Sequence, residues 1–205
     1  MYDILQTFIL GLVIGLTGAL APGPTLVATI NASISGDWKI GPKVTAGHMI
    51  AESVIFLMIV LGLAAVALPY TSVIAAIGGI ALIVFGALTI AGSQRASLNG
   101  PVTGTAGNPY LAGLVTSVAN PYFWIWWLTI GSAMVIAGLA GGIVLAAVFM
   151  VGHWCADLGW LTFVSTGVSR GRTILSDTSY RRIMGACGGF LILFGAYYLL
   201  KTIPL

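Results

Sequence analysis

The sequence predicts an all-α integral membrane protein, with six transmembrane helices arranged as two inverted three-helix repeats. Of its 205 residues, 59% are hydrophobic and only 6% are charged, whereas soluble domains carry about 25% charged residues. Six apolar stretches have roughly the 20 residues that a helix needs to cross a bilayer. The motif G-H-x-x-A followed by an acid occurs twice, at residues 47–52 and 152–157.

The six predicted spans follow one another with short connections. They cover residues 4–34, 43–68, 71–92, 109–136, 138–166 and 183–203. The one long polar stretch, residues 93–108, is rich in Gly, Ser, Thr and Asn, a composition typical of a loop. We therefore expect a first repeat at residues 1–92, a linker at residues 93–108 and a second repeat at residues 109–205.

The basic side chains predict the orientation of these spans, because Lys and Arg concentrate in cytoplasmic loops. Lys201 is the only basic residue on one side of the predicted membrane. The connections after spans 1, 3 and 5 hold the other seven: Lys39, Lys43, Arg95, Arg170, Arg172, Arg181 and Arg182. This distribution predicts a cytoplasmic linker and two external termini in a multi-pass protein of the cell membrane.

Landmarks recur in the same order in both halves, which indicates an internal repeat. They are residues 17–22 against 116–121, the two G-H-x-x-A-acid motifs, and Gly pairs before Phe-Gly at 78–86 and 188–195. Each half has three spans, an odd number, so the second must enter the membrane from the opposite face. Many secondary transporters are built in this way, with a binding site near the midplane. The alternative is a duplication retained only for packing.

Prolines predict that spans 1 and 4 are broken helices. Span 1 contains Pro22-Gly23-Pro24-Thr25 and span 4 contains Asn120-Pro121. Proline removes a backbone donor and displaces the carbonyl four residues earlier, so we expect free carbonyls at Gly18, Leu20 and Ser117. New half-helices should begin at Pro24 or Thr25, and at Pro121 behind an Asn120 N-cap.

The helix breaks are the predicted substrate site. The first N–H groups of each half-helix can bind a carboxylate, and the freed carbonyls can accept from an ammonium group. A zwitterion needs both. The alternative is a plain proline kink. The predicted substrate-binding residues are Pro22, Gly23, Pro24, Thr25, Asn120 and Pro121.

The two motifs place a histidine and an acid on one helix face, His48 with Glu52 and His153 with Asp157. Ionisable groups inside a membrane are costly and mark functional sites. The pairs could carry a coupling proton or bind a cationic substrate, and all four side chains together could hold a divalent metal. The alternative is a hydrogen-bonded pair that only joins helices.

The aromatic run Tyr122–Trp127 follows the second break. Because it begins near mid-membrane, some of its rings could line a cavity. Trp and Tyr favour membrane interfaces, so we expect at least half of these rings at the interface or against lipid.

The Pro-Gly-Pro of span 1, the Gly-rich start of span 2 with its acid, and the segment Ser117–Trp127 together resemble the lysine-exporter type amino-acid efflux family. This resemblance extends over nearly the whole chain. It implies a small multi-pass exporter of amino acids that hydrolyses no ATP. The family often has Asn after Pro-Gly-Pro, where this chain has Thr25.

The sequence and the resemblance lead to one preferred function, a secondary transporter that exports an amino acid or similar zwitterion with proton coupling. The alternative is a divalent metal exporter. We expect no enzyme, because P-loop and HExxH motifs are missing, and buried charges argue against a purely structural subunit. We expect no cofactor and no nucleic acid. The expected partners are an amino acid and the bilayer, and a homo-oligomer is compatible with the sequence.

Overall fold

The computed structural model describes residues 3–21, 23–62, 66, 70–94, 107–171 and 176–202. Within these residues the protein is helical and has no β-strand, so the predicted all-α class is confirmed. One π-helical turn, Trp127–Gly131, separates two of the helices. The α-helices are α1 (Ile4–Ala19), α2 (Pro24–Ser35), α3 (Ile40–Val60), α4 (Thr71–Ser93), α5 (Pro109–Val118), α6 (Pro121–Trp126), α7 (Ser132–Leu139), α8 (Ile143–Gly171) and α9 (Asp177–Thr202).

Each of the six predicted spans coincides with one or more of these helices. By length and apolarity, three stretches of the described residues can cross a membrane, and they are Ile40–Val60, Pro121–Leu139 and Ile143–Gly171. The pair α1–α2 makes a fourth if its two helices, bent by 80°, form one span. The chain is therefore a helical membrane protein, and six crossings stay a prediction.

The first and fourth predicted spans are interrupted, as their prolines predict. Helix α1 ends at Ala19 and α2 begins at Pro24 with Gly23 as its N-cap. Helix α5 ends at Val118, and Pro121 opens α6. Both prolines occupy the first helical position, where the missing N–H costs nothing and the fixed φ suits the helix. Pro22 lies outside the described residues.

Two carbonyls that were expected to be free are paired, and that prediction was wrong. The carbonyl of Gly18 accepts from the N–H of Ala21 at 3.1 Å, and the carbonyl of Ser117 accepts from the N–H of Asn120 at 3.1 Å. Bonds of this i→i+3 type tighten the last turn of a helix and use groups that would otherwise be orphaned. These two carbonyls are therefore not available as free acceptors at the breaks.

Glycines bring α1 against α8, and α3 against α5. Gly11 faces the backbone of Phe149 and His153, while Gly15, one turn later, faces His153 and Ala156. The two helices therefore run in the same direction. On the other side, Gly113 lies against the backbone of Val44 and His48, and Ser117 contacts His48, so α3 and α5 also run in parallel.

Helices α4 and α9 pack closely along their length in opposite directions. A Cβ on Gly79 would lie 2.9 Å from the carbonyl oxygen of Gly195. Towards the other end, a Cβ on Gly188 would lie 2.7 Å from the carbonyl oxygen of Gly86. Any larger residue at these positions would separate the two backbones, as expected of the small residues at membrane helix interfaces.

The largest buried apolar cluster lies to one side of the two G-H-x-x-A-acid motifs. It includes Ile55 and Ile59, which follow Glu52 along α3, and Ala146, Phe149 and Met150, which precede His153 along α8. Rings of Trp126 and Trp127 complete it. Many outer apolar side chains are exposed, such as Leu193 at 73% and Phe163 at 70%, as expected of a surface that faces lipid.

Candidate functional site

A cavity lies where the two helix breaks meet the motifs of α3 and α8. It has about 570 Å³ of empty space, its open side included. Its wall combines aromatic rings with a few polar groups. The lining residues are Gly18, Ala19, Ala21, Gly23, Thr25, Leu26, His48, Glu52, Asn120, Tyr122, Phe123, Trp126, Trp127, His153, Asp157 and Leu161.

The two breaks lie against each other at one end of this cavity. The Oδ1 of Asn120 accepts from the N–H of Tyr122 at 3.0 Å and caps α6. A Cβ on Gly23 would lie 3.2 Å from Nδ2 of Asn120, so the side-chain amide reaches the start of α2. Close by, the hydroxyl of Thr116 contacts that of Thr25 at 3.1 Å. The breaks therefore share one polar region.

The end of α1 is tied to α6 through Thr17. The hydroxyl of Tyr122 donates to the Thr17 carbonyl at 3.0 Å, and the indole Nε1 of Trp126 donates to the Thr17 hydroxyl at 3.1 Å. These two bonds join parts of the chain more than 100 residues apart. They hold the broken ends of spans 1 and 4 in register around the cavity.

The start of α2 offers backbone donors to the cavity. The first intrahelical bond runs from the N–H of Val27 to the carbonyl of Gly23 at 3.1 Å. Thr25 and Leu26 precede it and both line the cavity. The first N–H groups of a helix have no partner within the helix and lie at its positive end, so this terminus suits an anionic group such as a carboxylate.

The four motif side chains converge in one cluster at the cavity wall. The Nε2 of His48 lies 3.1 Å from Oε1 of Glu52, and the Nε2 of His153 lies 2.8 Å from the same oxygen. The Oδ2 of Asp157 lies 3.3 Å from Nε2 of His153 and 3.9 Å from Nε2 of His48. Each histidine thus contacts the acid of its own helix and that of the other motif.

The two acids differ in how firmly the protein holds them. The Oε1 of Glu52 contacts both histidines and also accepts from the indole Nε1 of Trp127 at 3.3 Å. Asp157 has a single histidine contact below 3.5 Å, the one with His153. Glu52 is fully buried, and Asp157 is 3% exposed. Glu52 is therefore the anchored acid of the cluster, and Asp157 is the more available one.

The short nitrogen–oxygen contacts require protons. A ring nitrogen and a carboxylate oxygen are both acceptors unless one of them carries a hydrogen. The contacts of Glu52 with His48 and His153 therefore each contain a proton, on the nitrogen or on the oxygen. A buried cluster that holds protons next to a cavity is chemically suited to proton uptake and release.

Two consecutive tryptophans enclose His153. The ring centroids of Trp126 and Trp127 lie 4.8 and 5.0 Å from that of His153. The π-helical turn begins at Trp127, and π-turns occur often at functional sites. A Cβ on Gly131 would lie 2.5 Å from the Trp127 ring, so the glycine makes room for the indole.

The expectation that at least half of the aromatic run faces lipid or the interface was wrong. Four of its five aromatic residues, Tyr122, Phe123, Trp126 and Trp127, line the cavity. Hydrogen-bond partners account for this placement, because the indoles of Trp126 and Trp127 donate to Thr17 and to Glu52. These partners come from α1 and α3, and the local sequence of the run does not reveal them.

The predicted site residues fall into three groups. Gly23, Thr25 and Asn120 line the cavity with the four side chains of the His–acid cluster. Pro24 and Pro121 are buried at the starts of α2 and α6 and do not line it. Pro22 lies outside the described residues. The sequence interpretation missed Ser117 as a partner of His48 and Trp127 as a partner of Glu52.

Three side chains of the cluster could also hold a metal ion. Ligand atoms of His48, Glu52 and Asp157 lie within 4.8 Å of one another. Imidazole and carboxylate suit several first-row metals. The backing of His48 by a hydrogen bond from its other ring nitrogen resembles the outer contacts of metal-ligating histidines.

Comparison with known protein families places the whole chain, and not only this cavity, in a wider context. The profile of the LysE type translocators matches residues 16–202, which include both helix breaks and both motifs. No curated protein and no solved structure matches the chain. The family is one of membrane translocators of small molecules, and the alternative of metal export gains no support from the match. The match covers most of the sequence, and the chain belongs to the LysE type translocator family.

Proposed function

We propose that this translocator is a secondary transporter that exports an amino acid or a similar small zwitterion and couples its movement to protons. The observation that carries the proposal is the cavity itself. It joins backbone donors at one helix start to a buried His–acid cluster. A zwitterion carries an anionic and a cationic group, and the cavity wall offers a partner to each.

The carboxylate of the substrate would lie at the start of α2. The N–H groups of Thr25 and Leu26 and the side-chain amide of Asn120 are the donors available there. In discontinuous membrane helices, the N-terminal ends of half-helices commonly receive anionic substrate groups. Thr25 replaces the asparagine that the family often has here, and its hydroxyl contact with Thr116 leaves the backbone donors unchanged.

The ammonium group would lie at Asp157 rather than at Glu52. Glu52 already contacts three proton-bearing groups of the protein, while Asp157 has one close contact. A substrate that approached Oε1 of Glu52 would have to displace these contacts, whereas Oε2 of Glu52 is buried without a hydrogen-bond partner. Release of a proton from the cluster as the ammonium binds would keep the local charge balanced and would couple the two movements.

Alternating access would come from two inverted repeats. The close glycine contacts support this arrangement. If Gly79 is equivalent to Gly188, and Gly86 to Gly195, then exchange of the two halves converts the contact Gly79–Gly195 into the contact Gly188–Gly86. Helices α4 and α9 are antiparallel, so the axis of this exchange is perpendicular to them. An axis in the membrane plane is the hallmark of inverted repeats.

The proposal is tested with purified protein in proteoliposomes. A panel of amino acids is supplied under an imposed proton gradient, with a pH-sensitive dye inside the vesicles. We expect accumulation of at least one amino acid together with proton movement. Glu52→Gln and Asp157→Asn should lower gradient-driven accumulation at least tenfold, while Asp37→Asn, which removes an exposed carboxylate outside the cavity, should leave it unchanged.

Two outcomes would contradict the proposal. One is the absence of transport for the whole amino-acid panel. The other is full gradient-driven accumulation by the double variant Glu52→Gln/Asp157→Asn, which would leave the cluster as a joint between helices.

Divalent metal export is the second candidate, because three ligand atoms of the cluster lie close together. The same vesicles loaded with zinc or manganese ions and a metal-sensitive dye would distinguish the two cargoes. Metal flux without amino-acid flux, abolished by Asp157→Asn, would favour the metal. We expect the opposite pattern, with amino-acid flux and no metal flux.

A further inference from the structure

The charged groups of the cavity leave one acid within reach of a substrate. Glu52 is fully buried, while the side chain of Asp157 is 5% exposed. Both ring nitrogens of His48 already have partners, Ser117 and Glu52. None of the described residues that line the cavity is a lysine or an arginine. The cavity therefore offers one accessible partner to a cation, and the proposed function assigns it to the ammonium group of the substrate.

A charge on the side chain of the substrate would have no partner of its own here. A second cation would compete with the ammonium group for Asp157. A second carboxylate would compete with the first for the backbone donors at the start of α2 and for the side-chain amide of Asn120. An unpaired charge that leaves water for such a site is costly, whereas an apolar side chain needs no partner. The distribution of charge thus favours a neutral amino acid.

The rest of the cavity wall is largely apolar, and the break in span 1 contributes its smallest residues. Four residues separate α1 from α2, and two separate α5 from α6. The wider break brings short side chains to the wall, and rings and leucines from other segments add larger apolar surface. The small residues are Gly18, Ala19 and Ala21, and the larger ones include Phe123, Trp126 and Leu161.

Gly18 leaves space that its helix does not require. A Cβ at this position would lie 3.5 to 3.7 Å from three atoms of the Trp126 ring, which is ordinary van der Waals contact. A Cβ on Gly11, by contrast, would collide with the carbonyl oxygen of Phe149. The φ of Gly18 is not positive, and glycine is less favourable than alanine in a helix. Neither backbone geometry nor helix packing explains this glycine, and the space beside Trp126 belongs to the cavity.

We infer that the substrate is an amino acid with a neutral, apolar side chain that packs against Gly18 and the indole of Trp126, and that Gly18 sets how large this side chain can be. The inference rests on the proposed function and names its substrate class. Each methylene that leaves water for an apolar wall strengthens binding. A larger residue at position 18 would occupy part of the same space.

Two pairs of amino acids test the requirement for a neutral side chain. Their binding to the purified protein in detergent is measured by calorimetric titration, without a proton gradient. Norleucine and lysine have similar unbranched side chains, and only that of lysine ends in an ammonium group. Norvaline and glutamate differ in the same way by a terminal carboxylate. We expect norleucine and norvaline to bind at least about tenfold more tightly than their charged counterparts, because the extra charge has no partner.

Gly18→Ala tests the limit on size, with leucine and alanine as the ligands. The added methyl group fits beside Trp126, so the variant should fold, but the methyl takes up space in the cavity. We expect the affinity for leucine relative to alanine to fall by about tenfold, the lower end of the effect of one methylene in an apolar pocket. Gly18→Val should lower it further.

Gly159→Ala is the matched control for the glycine variants. Gly159 lies on α8 outside the cavity, and a Cβ there would have nothing within 4 Å. This variant should leave the affinity for leucine relative to alanine unchanged.

The possible outcomes separate this inference from the proposed function. If lysine or glutamate binds as tightly as its neutral counterpart, the substrate class is wrong, and export of an amino acid still stands. If both Gly18 variants keep the affinity ratio of the unmodified protein, Gly18 only leaves a packing gap and does not limit the side chain. If none of these amino acids binds, the proposed function itself fails, and the inference fails with it.

Discussion

At the scale of single residues, Glu52 is the centre of the cluster. Its Oε1 receives three contacts, from His48, His153 and Trp127, that arise from three different segments. A buried carboxylate is costly unless it is hydrogen-bonded, so each donor contributes to keeping it inside the protein. The indole of Trp127 is the one donor among the three that cannot titrate, and it is therefore the constant part of the arrangement.

Comparison of two neighbouring tryptophans tests this role. Trp127→Phe removes a donor to a carboxylate, and Trp126→Phe removes a donor to the Thr17 hydroxyl. Both rings are almost fully buried, so the loss of volume is matched. Hydrogen bonds to charged groups contribute about 1.5–3 kcal/mol and those between neutral groups about 0.5–1.5 kcal/mol. We expect Trp127→Phe to lower the free energy of unfolding in micelles by roughly 1 kcal/mol more than Trp126→Phe.

An equal or smaller effect of Trp127→Phe would contradict this prediction. It would mean that Glu52 is held by the two histidines alone, or that its carboxyl group is neutral in the resting protein.

The sequence located the cluster but not its surroundings. The doubled motif placed His48, Glu52, His153 and Asp157 on two helix faces, and helical spacing was enough for that. The contacts of Ser117 and Trp127 depend instead on how α5 and α6 cross α3. Hydrophobic periodicity reports which face of a helix is buried, and it does not report which distant side chain lies opposite.

At the scale of helices, the prolines and caps define the breaks. Pro24 and Pro121 each open a half-helix, as the fixed φ of proline favours. Sequence reasoning failed at the preceding turns, where i→i+3 bonds use the carbonyls of Gly18 and Ser117. Such tightening depends on the exact path of the chain into the break, which proline alone does not determine.

Two asparagines offer a matched test of the second break. Asn120 caps α6 at the cavity, and Asn108 caps α5 outside it, each directly before a proline at the first helical position. Replacement of either cap by Ala should cost about 1 kcal/mol of stability. Only Asn120→Ala should also weaken substrate binding, by about tenfold for the loss of one hydrogen bond to a carboxylate.

Thermal unfolding and substrate-binding measurements on both variants separate the two effects. Equal loss of binding in Asn108→Ala and Asn120→Ala would indicate that Asn120 acts only through the stability of the helix.

At the scale of the whole molecule, three helix pairings hold the halves together. Helix α1 packs on α8, α3 on α5 and α4 on α9, so each pairing joins one half of the chain to the other. The glycine landmarks at residues 78–86 and 188–195 were visible in the sequence as a repeat. The contact between these two segments was not visible in the sequence, because a repeat shows that two segments are equivalent and does not show whether they touch.

The parallel and antiparallel directions of these pairs agree with six crossings of the membrane. Helices from spans 1 and 5 are parallel, as are those from spans 2 and 4, while spans 3 and 6 oppose each other. In a chain that crosses at every span, odd spans share one direction and even spans the other. The six-span arrangement therefore predicts each of the three relations.

The orientation of the protein can be measured at two connections that the six-span arrangement puts on opposite sides of the membrane. Ser97 lies in the linker 93–108, on the side with seven of the eight basic residues, and Gly141 lies between α7 and α8, in a connection without charge. With Cys155 and Cys187 replaced, a single cysteine is introduced at either position. Since basic loops stay in the cytoplasm, an impermeant thiol reagent added to intact cells should label Gly141→Cys and leave Ser97→Cys unlabelled until the cells are opened. Labelling of Ser97→Cys alone would reverse the orientation, and labelling of both from outside would place the two connections on one face and remove the basis for inverted repeats.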